Sequence, residues 1–209
     1  MLEVKNLSFS FKHRMLFKDV NFTLKEGSIM HISGPNGTGK STLLSILAGL
    51  RDSQSGSIEM HTDGKEIEDL KPYIEYLSAE ANGLFSELDA ISNLRFYTKL
   101  RGHSYTDKEL IAELKRWGLA SRLVYKNFPI NKFSTGMKRR LALARVSLSG
   151  APIWILDEPV YGLDAEGIVE FREMIKRHTS LGGSTILVSH DLEAISELDI
   201  MKLELRKGA

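Results

Sequence analysis

The sequence lacks cysteine altogether among its 209 residues. Disulfides, thiolate metal sites and a cysteine nucleophile are therefore excluded. Neither sign of charge is in excess, since 28 Lys and Arg face 27 Asp and Glu for a net charge of +1, which argues against a general polyanion binder. No run of about 18 apolar residues and no signal-peptide run at the N-terminus is found, so any membrane role is expected to come through a partner.

The most informative stretch that is present reads G-P-N-G-T-G-K-S-T over Gly34–Thr42. It satisfies the phosphate-binding pattern G-x-x-x-x-G-K-[ST], in which glycines let backbone N–H groups converge on a phosphate. Lys40 is predicted to reach the β- and γ-phosphates and act in catalysis, and the Ser41 hydroxyl to coordinate Mg²⁺. The residues predicted to bind the nucleotide here are Gly34, Pro35, Asn36, Gly37, Thr38, Gly39, Lys40, Ser41 and Thr42.

The context of this loop distinguishes it from a chance glycine-rich turn. The β-prone segment Ser28–Ser33 precedes it, and apolar residues at helical spacing follow from Leu43 to Leu50. Upstream, alternation in Leu2–Lys5 and Val20–Leu24 predicts antiparallel strands with one wet face. Ser55–Met60 is predicted as another strand.

The remaining chain divides into a helical part and an alternating part. Helical stripes over Ile91–Leu100, Leu110–Trp117 and Met137–Leu148 predict a helical insert between about residues 84 and 150. After it, two apolar runs predict strands buried on both faces of a parallel sheet. These strands, Ile153–Leu156 and Ser184–Val188, alternate with predicted helices over Ile168–His178 and Asp191–Leu198, which indicates an α/β fold.

Ionisable residues follow both buried strands, at the end where open α/β sheets bind ligands. Asp157 is the expected Mg²⁺ partner of a phosphate loop, and Glu158 could polarise a water for attack on the γ-phosphate. The alternative is that Asp157-Glu158-Pro159 merely ends a strand in a turn. His190 follows the second strand and is interpreted as a γ-phosphate sensor rather than a solvated histidine.

With these motifs in order over nearly the whole chain, the sequence resembles the ATPase subunits of ABC transporters. The resemblance implies a P-loop NTPase of ABC-ATPase type, with a mixed core sheet, an N-terminal antiparallel β subdomain and a helical insert. It implies one domain over residues 1–209, with a nucleotide-binding core from 1–79 and 151–209 and a helical subdomain over 80–150. Within the family, the chain looks like the small bacterial exporter ATPases, including the haem-exporter ATPase of cytochrome c maturation.

Further site residues follow from this resemblance alone. Tyr161–Asp164 looks like the family's D-loop, which makes Asp164 a nucleotide-site residue. Phe11 stands where the family usually has the tyrosine that stacks on adenine, although simple core packing of Phe11 remains an alternative. Phe133–Met137 resembles the signature motif L-S-G-G-Q, whose Ser134 and Gly136 would contact the nucleotide bound by the other subunit.

The chain departs from the family at several of these positions. Thr135 and Met137 replace a glycine and the glutamine of the signature motif. Lys138–Arg140, at the start of the signature helix, is interpreted as a solvated or family-typical basic face rather than a nucleic-acid site. The family also has a glutamine before the insert that touches Mg²⁺, but the single glutamine here, Gln54, comes too early. Glu80 falls near the expected place and could serve as an oxygen ligand for the metal.

The resemblance implies a subunit that binds ATP and Mg²⁺, pairs with a second ATPase chain in a homodimer, and hydrolyses ATP. An integral membrane transporter subunit is the expected partner, with no nucleic-acid partner and no direct membrane insertion. The expected location is cytoplasmic, on the inner face of the cell membrane. The alternative is a non-transport ABC ATPase acting on nucleic acid, ribosomes or cluster assembly. A phosphate-loop GTPase is disfavoured because the guanine-reading motif N-K-x-D is absent.

Overall fold

The computed structural model of the chain describes residues 1–62, 64–80, 82–119, 121 and 128–206. The first of its two sheets is antiparallel, with strand order β2-β1-β4-β5. Its strands are β1 (Leu2–Phe11), β2 (Arg14–Leu24), β4 (Ser55–Thr62) and β5 (Lys65–Ile67). The strands predicted at Leu2–Lys5 and Val20–Leu24 are confirmed as parts of this longer hairpin.

The second sheet contains the five remaining strands in the order β6-β7-β8-β3-β9. They are β3 (Ile29–Ser33), β6 (Ile74–Leu77), β7 (Ile153–Asp157), β8 (Ser184–Val188) and β9 (Ile200–Glu204). Every pairing in it is parallel. The expected α/β class and antiparallel N-terminal part are confirmed, but the expectation of a mixed core sheet is wrong. Short connections join the antiparallel pairs β1–β2 and β4–β5 of the first sheet, whereas the parallel neighbours of the second sheet are joined by longer crossovers.

Six α-helices lie among the described residues and connect the strands. They are α1 (Lys40–Leu47), α2 (Ala90–Leu100), α3 (Asp107–Arg116), α4 (Thr135–Ser147), α5 (Ala165–Ser180) and α6 (Leu192–Ile195). Between β6 and β7, the described residues hold α2, α3 and α4 and no strand, as the helical stripes predict. Among the described helices, none combines the length and the apolar character that crossing a bilayer requires.

The parallel sheet separates two apolar clusters. On β7, Ile153 and Ile155 face a cluster formed with α1 and the antiparallel sheet, whereas Trp154 and Leu156 face one formed with α2 to α5. All five residues of β7 are buried, as its continuous apolar run predicts. Because β3, β7 and β8 are parallel neighbours, the loops that follow them leave the sheet at the same edge.

Candidate functional site

The phosphate loop connects β3 to α1 in a conformation that requires glycine. Gly34 has a φ of 144° and Gly39 a φ of 93°, values that side chains rarely adopt. A Cβ on Gly34 would also collide with the carbonyl oxygen of Leu205, just after β9. The loop is therefore held against the end of a neighbouring strand, and glycine is the residue that fits there.

The loop presents a cation and a helix N-terminus at the same place. Lys40 Nζ donates to the carbonyl oxygens of Gly34 at 2.7 Å and Pro35 at 3.2 Å, so the ammonium group lies over the loop. Thr38 is buried, and its hydroxyl donates to the same Pro35 oxygen at 2.9 Å. Helix α1 begins at Lys40 without a side-chain cap, which leaves its first backbone N–H groups free for an anion.

Asp157 ends β7 directly opposite this helix start. Its side chain is only 3% exposed, and burial raises the pKa of the Asp157 carboxyl, opposed by a hydrogen bond from Ser41 and by the charges of Arg139 and Lys40. The hydroxyl of Ser41 and the carboxylate of Asp157 thus meet as two oxygen ligands. Such a donor set suits a hard cation such as Mg²⁺.

Glu158 follows in an unusual backbone conformation, with a φ of 48°. Its N–H donates to Val188 at the end of β8, at 2.9 Å. Glu158 Oε2 accepts from the backbone N–H of His190 at 3.2 Å, and the His190 ring nitrogen Nε2 lies 3.5 Å from Oε1. Oε1 is buried and has no hydrogen-bond partner among the described residues. Glu158 and His190 both line the cleft, which places a carboxylate where a general base has to meet the attacking water.

These groups surround one cleft of about 610 Å³. Its lining includes the predicted residues Phe11, Asn36, Gly37, Gly39, Lys40, Ser41, Thr42, Asp157, Glu158 and His190. Phe11 is 55% exposed, so the alternative that it is core packing is wrong. The volume is in the range of small-molecule and cofactor sites.

The cleft also contains residues that sequence reasoning missed, namely Arg14, Leu16, Arg51, Ala79 and Val188. Arg14 pairs with Phe11 across the end of the β1–β2 hairpin, and its guanidinium approaches Gly37. The tight spacing of two β-prone segments around Lys12-His13 was the available signal for this hairpin.

Glu80 lies near the site without lining the cleft. Ala79 forms the wall there, while the Glu80 side chain is exposed. Its charge is nevertheless close enough to help raise the pKa of Asp157. The Glu80 carboxylate therefore lies near enough to the candidate metal ligand Asp157 to act on it through its charge.

The residues of the signature motif lie outside this cleft. Ser134 is the N-cap of α4 and accepts from the backbone N–H of Met137 at 3.2 Å, as its spacing predicts. A Cβ on Gly136 would lie 2.7 Å from the carbonyl oxygen of Gly162, so this glycine allows the D-loop to pack on the start of the helix. Met137 packs against the apolar cluster instead of presenting a polar group.

Asp164 caps α5 by accepting from Gly167 at 2.9 Å. It also pairs with Arg140 of α4, and both contacts lower the pKa of the Asp164 carboxyl. Like Ser134 and Gly136, Asp164 does not line the cleft. The D-loop and the signature helix are therefore joined by this ion pair and by the close packing of Gly136 on Gly162.

The basic run at the start of α4 is not uniformly solvated. Lys138 and Arg140 are half-buried, but Arg139 is 3% exposed, so the interpretation of the run as a solvated face is wrong at this position. The guanidinium of Arg139 points inward and donates to carbonyl oxygens of Asp157, at the end of β7, and of Pro159, just after it. A three-residue charge run cannot reveal which member faces the core, since adjacent helical positions lie 100° apart.

Comparisons with known proteins agree with this geometry. The sequence profile described as "ABC transporter" matches residues 17–161. The chain is 37% identical over 193 residues to the cytochrome c biogenesis ATP-binding export protein CcmA of Vibrio parahaemolyticus, covering 91% of this chain and 92% of that protein.

Two solved structures are similar over the whole fold. An ATP-binding subunit of an ABC transporter superposes with a TM-score of 0.84 at 27% identity, covering 100% of this chain and 90% of that one. A bacterial ABC transporter cassette solved as a dimer gives a TM-score of 0.81 at 25% identity, covering 98% and 94% of the two chains. The chain therefore belongs to the ABC transporter family, as an ATP-binding subunit that hydrolyses ATP to drive transport.

Proposed function

We propose that two copies of this chain close head to tail on two ATP molecules and that hydrolysis drives an exporter in the cell membrane. The single observation that carries the proposal is the division of the site. One cleft brings together Lys40, Ser41, Asp157, Glu158 and His190. Ser134 and Gly136 lie outside this cleft. A complete site then needs the signature end of a second chain.

The roles within one cleft follow from the contacts. Phe11 offers an exposed ring on which adenine can stack, and Lys40 with the N-terminus of α1 holds the phosphates. Ser41 and Asp157 would hold Mg²⁺, which supplies charge neutralisation on the phosphates when bound. Glu158, whose carboxylate lines the cleft, accepts the proton of the attacking water. His190, already in contact with Glu158, binds the γ-phosphate.

The partner in the membrane docks on the helical subdomain, which we place at residues 80–150. An aromatic patch on it consists of Phe85, Phe96 and Tyr97, whose rings lie 4.8 to 6.0 Å apart. Phe85 and Phe96 are each 45% exposed, and Leu100 of the same helix is 70% exposed. Exposed apolar groups gathered in this way are typical of a protein interface. The naming of the Vibrio relative as an export protein supports the direction of transport.

The variant Glu158→Gln tests both catalysis and pairing. It should bind ATP and accumulate as an ATP-dependent dimer by light scattering, while steady-state hydrolysis falls by about a hundredfold or more, the scale of a lost general base. The matched control is Glu166→Gln, an exposed carboxylate in the first turn of α5. Normal turnover by Glu158→Gln would refute the role of Glu158, and a monomer at saturating ATP would refute the pairing.

Co-purification tests the transport assignment separately. Detergent-solubilised membranes should yield the chain together with an integral membrane protein, and the proposed location is the cytoplasmic face of that membrane. Recovery with nucleic acid or ribosomes instead would favour a non-transport ABC ATPase.

A further inference from the structure

Arg139 is a buried charged residue to which neither the family motifs nor the proposed chemistry assigns a role. It lies on α4, five residues after the N-cap Ser134. Its side chain is 3% exposed, and burial lowers the pKa of the guanidinium to about 10, which keeps it charged near pH 7. A buried charge is costly unless it is fully hydrogen-bonded.

The guanidinium makes contacts on two sides. On one side it donates to the carbonyl oxygens of three consecutive residues, at 2.8 Å to Asp157 and 3.1 Å to Pro159, with Glu158 between them. On the other side Nη1 donates at 3.0 Å to both the carbonyl oxygen of Ser78 and Oδ1 of Asn82. All five acceptors are neutral backbone or amide oxygens. The arrangement thus uses the fixed fork of an arginine to hold backbone segments in place.

The segment held in this way has an unusual conformation. Glu158 adopts a φ of 48°, a left-handed conformation that costs free energy in a residue with a Cβ and persists only where its surroundings enforce it. The hydrogen bonds from Arg139 to the flanking carbonyl oxygens supply that enforcement on one side of the turn. On the other side, the Glu158 N–H is held by Val188. Together these contacts set the direction of the Glu158 side chain.

We propose that Arg139 is a positioning residue that aims Glu158 and couples its orientation to the signature helix. This inference rests on the proposed role of Glu158 as the base. Ser134 and Arg139 are separated by about 7.5 Å along one helix, at 1.5 Å per residue. A shift of α4 when Ser134 contacts the nucleotide of the second chain therefore moves the group that holds Glu158 in its own cleft. The two ATP sites of a pair are linked through this residue.

Arg139 also contacts the segment around Glu80, the residue that stands near the place of the family's metal-contacting glutamine. Ser78 and Asn82 lie on either side of Glu80, and both accept hydrogen bonds from Arg139. Because this segment leads into the helical subdomain, movement there acts on the same guanidinium. Arg139 thus connects Glu158, the signature helix α4 and the segment that leads into the helical subdomain through one set of hydrogen bonds.

The first test is Arg139→Lys, which keeps the charge but lacks the planar fork. We expect kcat for ATP hydrolysis to fall between about ten- and a hundredfold, as for small misplacements of a catalytic group, while KM for ATP stays within about twofold because the phosphate loop is untouched. Lys138→Gln, one position earlier on the same helix, should leave both constants unchanged. A normal kcat in Arg139→Lys, or a KM that rises as much as kcat falls, overturns the inference.

A double-mutant cycle separates positioning from bulk structure. If Arg139 acts through Glu158, single-turnover hydrolysis by Glu158→Gln should not fall further when Arg139→Lys is added. Multiplying losses would show that Arg139 acts elsewhere and would overturn the inference. If Glu158→Gln hydrolyses ATP at the normal rate, the proposed role of Glu158 as the base is refuted. If Glu158→Gln is impaired but Arg139→Lys is normal, only the positioning role of Arg139 is refuted.

A milder variant covers the case in which Arg139→Lys does not fold. Asn82→Ala removes one acceptor from the guanidinium and leaves Arg139 in place. Its kcat should fall by roughly three- to tenfold at unchanged KM, the scale of one charge-assisted hydrogen bond. Wild-type kcat in a folded Asn82→Ala protein would overturn the coupling to this segment.

Discussion

Phe11 shows how a single side chain in the cleft can be tested for binding without affecting the fold. Its ring is more than half exposed and borders the phosphate-loop cleft. Removal of the ring in Phe11→Ala should raise KM for ATP by about five- to a hundredfold, since base stacking contributes roughly 1–3 kcal/mol, with kcat nearly unchanged. Phe11→Tyr, which retains the ring, is the control. An unchanged KM in Phe11→Ala would place adenine elsewhere.

His178 provides a second test at the residue scale, this time of stability. Its ring stacks on Trp154 with centroids 3.6 Å apart, and burial lowers the pKa of His178 from 6.5 to about 4. Between these two pH values the unfolded chain binds a proton that the folded chain does not, so stability falls as the pH falls. From pH 7 to pH 4.5 this histidine should cost about 2 kcal/mol of unfolding free energy.

Urea unfolding of wild type and His178→Gln at both pH values measures this contribution. The variant should lose about 2 kcal/mol less than wild type on acidification, and the exposed His13→Gln should behave like wild type. Equal losses in all three proteins would contradict the predicted protonation of His178.

At the scale of whole elements, two helix starts with similar caps allow function to be separated from stability. Ser134 caps α4 and Thr106 caps α3, each by accepting from a backbone N–H three residues on. Ser134→Ala and Thr106→Ala should each cost about 1 kcal/mol of unfolding free energy. Only Ser134→Ala should also lower kcat, because only that hydroxyl is proposed to reach a nucleotide. Urea unfolding and ATPase assays on both variants make the comparison, and equal kcat values would contradict it.

The elements that the sequence predicted best are those with uninterrupted patterns. β7 and β8 were found because every residue in them is buried. β1 was predicted only to Lys5, because Asn6 has a φ of 48° and the pairing register shifts beyond Val4, which changes the phase of the alternation. A bulge of this kind shifts the apolar residues that follow it from even-numbered to odd-numbered positions.

Three strands, β5, β6 and β9, were not predicted, and the physical reasons for β6 and β9 differ. β6 has only four residues and contains the charged residue Glu75, which is buried in an ion pair with Arg145. β9 lies at the edge of the sheet, and its partly exposed residues mix apolar and charged types. For Glu75, as for Arg139, the partner that makes burial possible comes from a distant part of the chain. Local periodicity carries no information about such a partner.

At the scale of the whole molecule, the exposed aromatic patch predicts where coupling to the membrane partner can be broken. Phe96→Ser should abolish co-purification with that partner while leaving the basal ATPase rate of the isolated chain intact, because Phe96 lies outside the cleft. Leu181→Ser is the control, since Leu181 is 88% exposed but lies on the turn between α5 and β8. Pull-down and ATPase measurements on both variants decide the matter. If only Leu181→Ser lost partner binding, the docking surface would lie at the turn between α5 and β8 and not at the aromatic patch.

The phosphate loop and the Asp157-Glu158 pair could be predicted because each motif is short and continuous, whereas the shape of the cleft could not. Arg14, Arg51 and Ala79 come from three separate segments that only the folded sheets bring together. Glu80 shows the same limit, since its position near Asp157 followed from chain order but its exposed side chain did not. Motifs specify chemistry locally, and the walls around them depend on long-range packing.

The positions of the two tryptophans have a practical optical consequence. Trp117 is buried among the helices between β6 and β7, and Trp154 is on β7, three residues before Asp157. The chain contains no other tryptophan. Replacing either one with phenylalanine leaves a single tryptophan, located either in the helical insert or on the strand that ends at Asp157. Emission recorded during one turnover can then report when each region responds to ATP, without any attached dye.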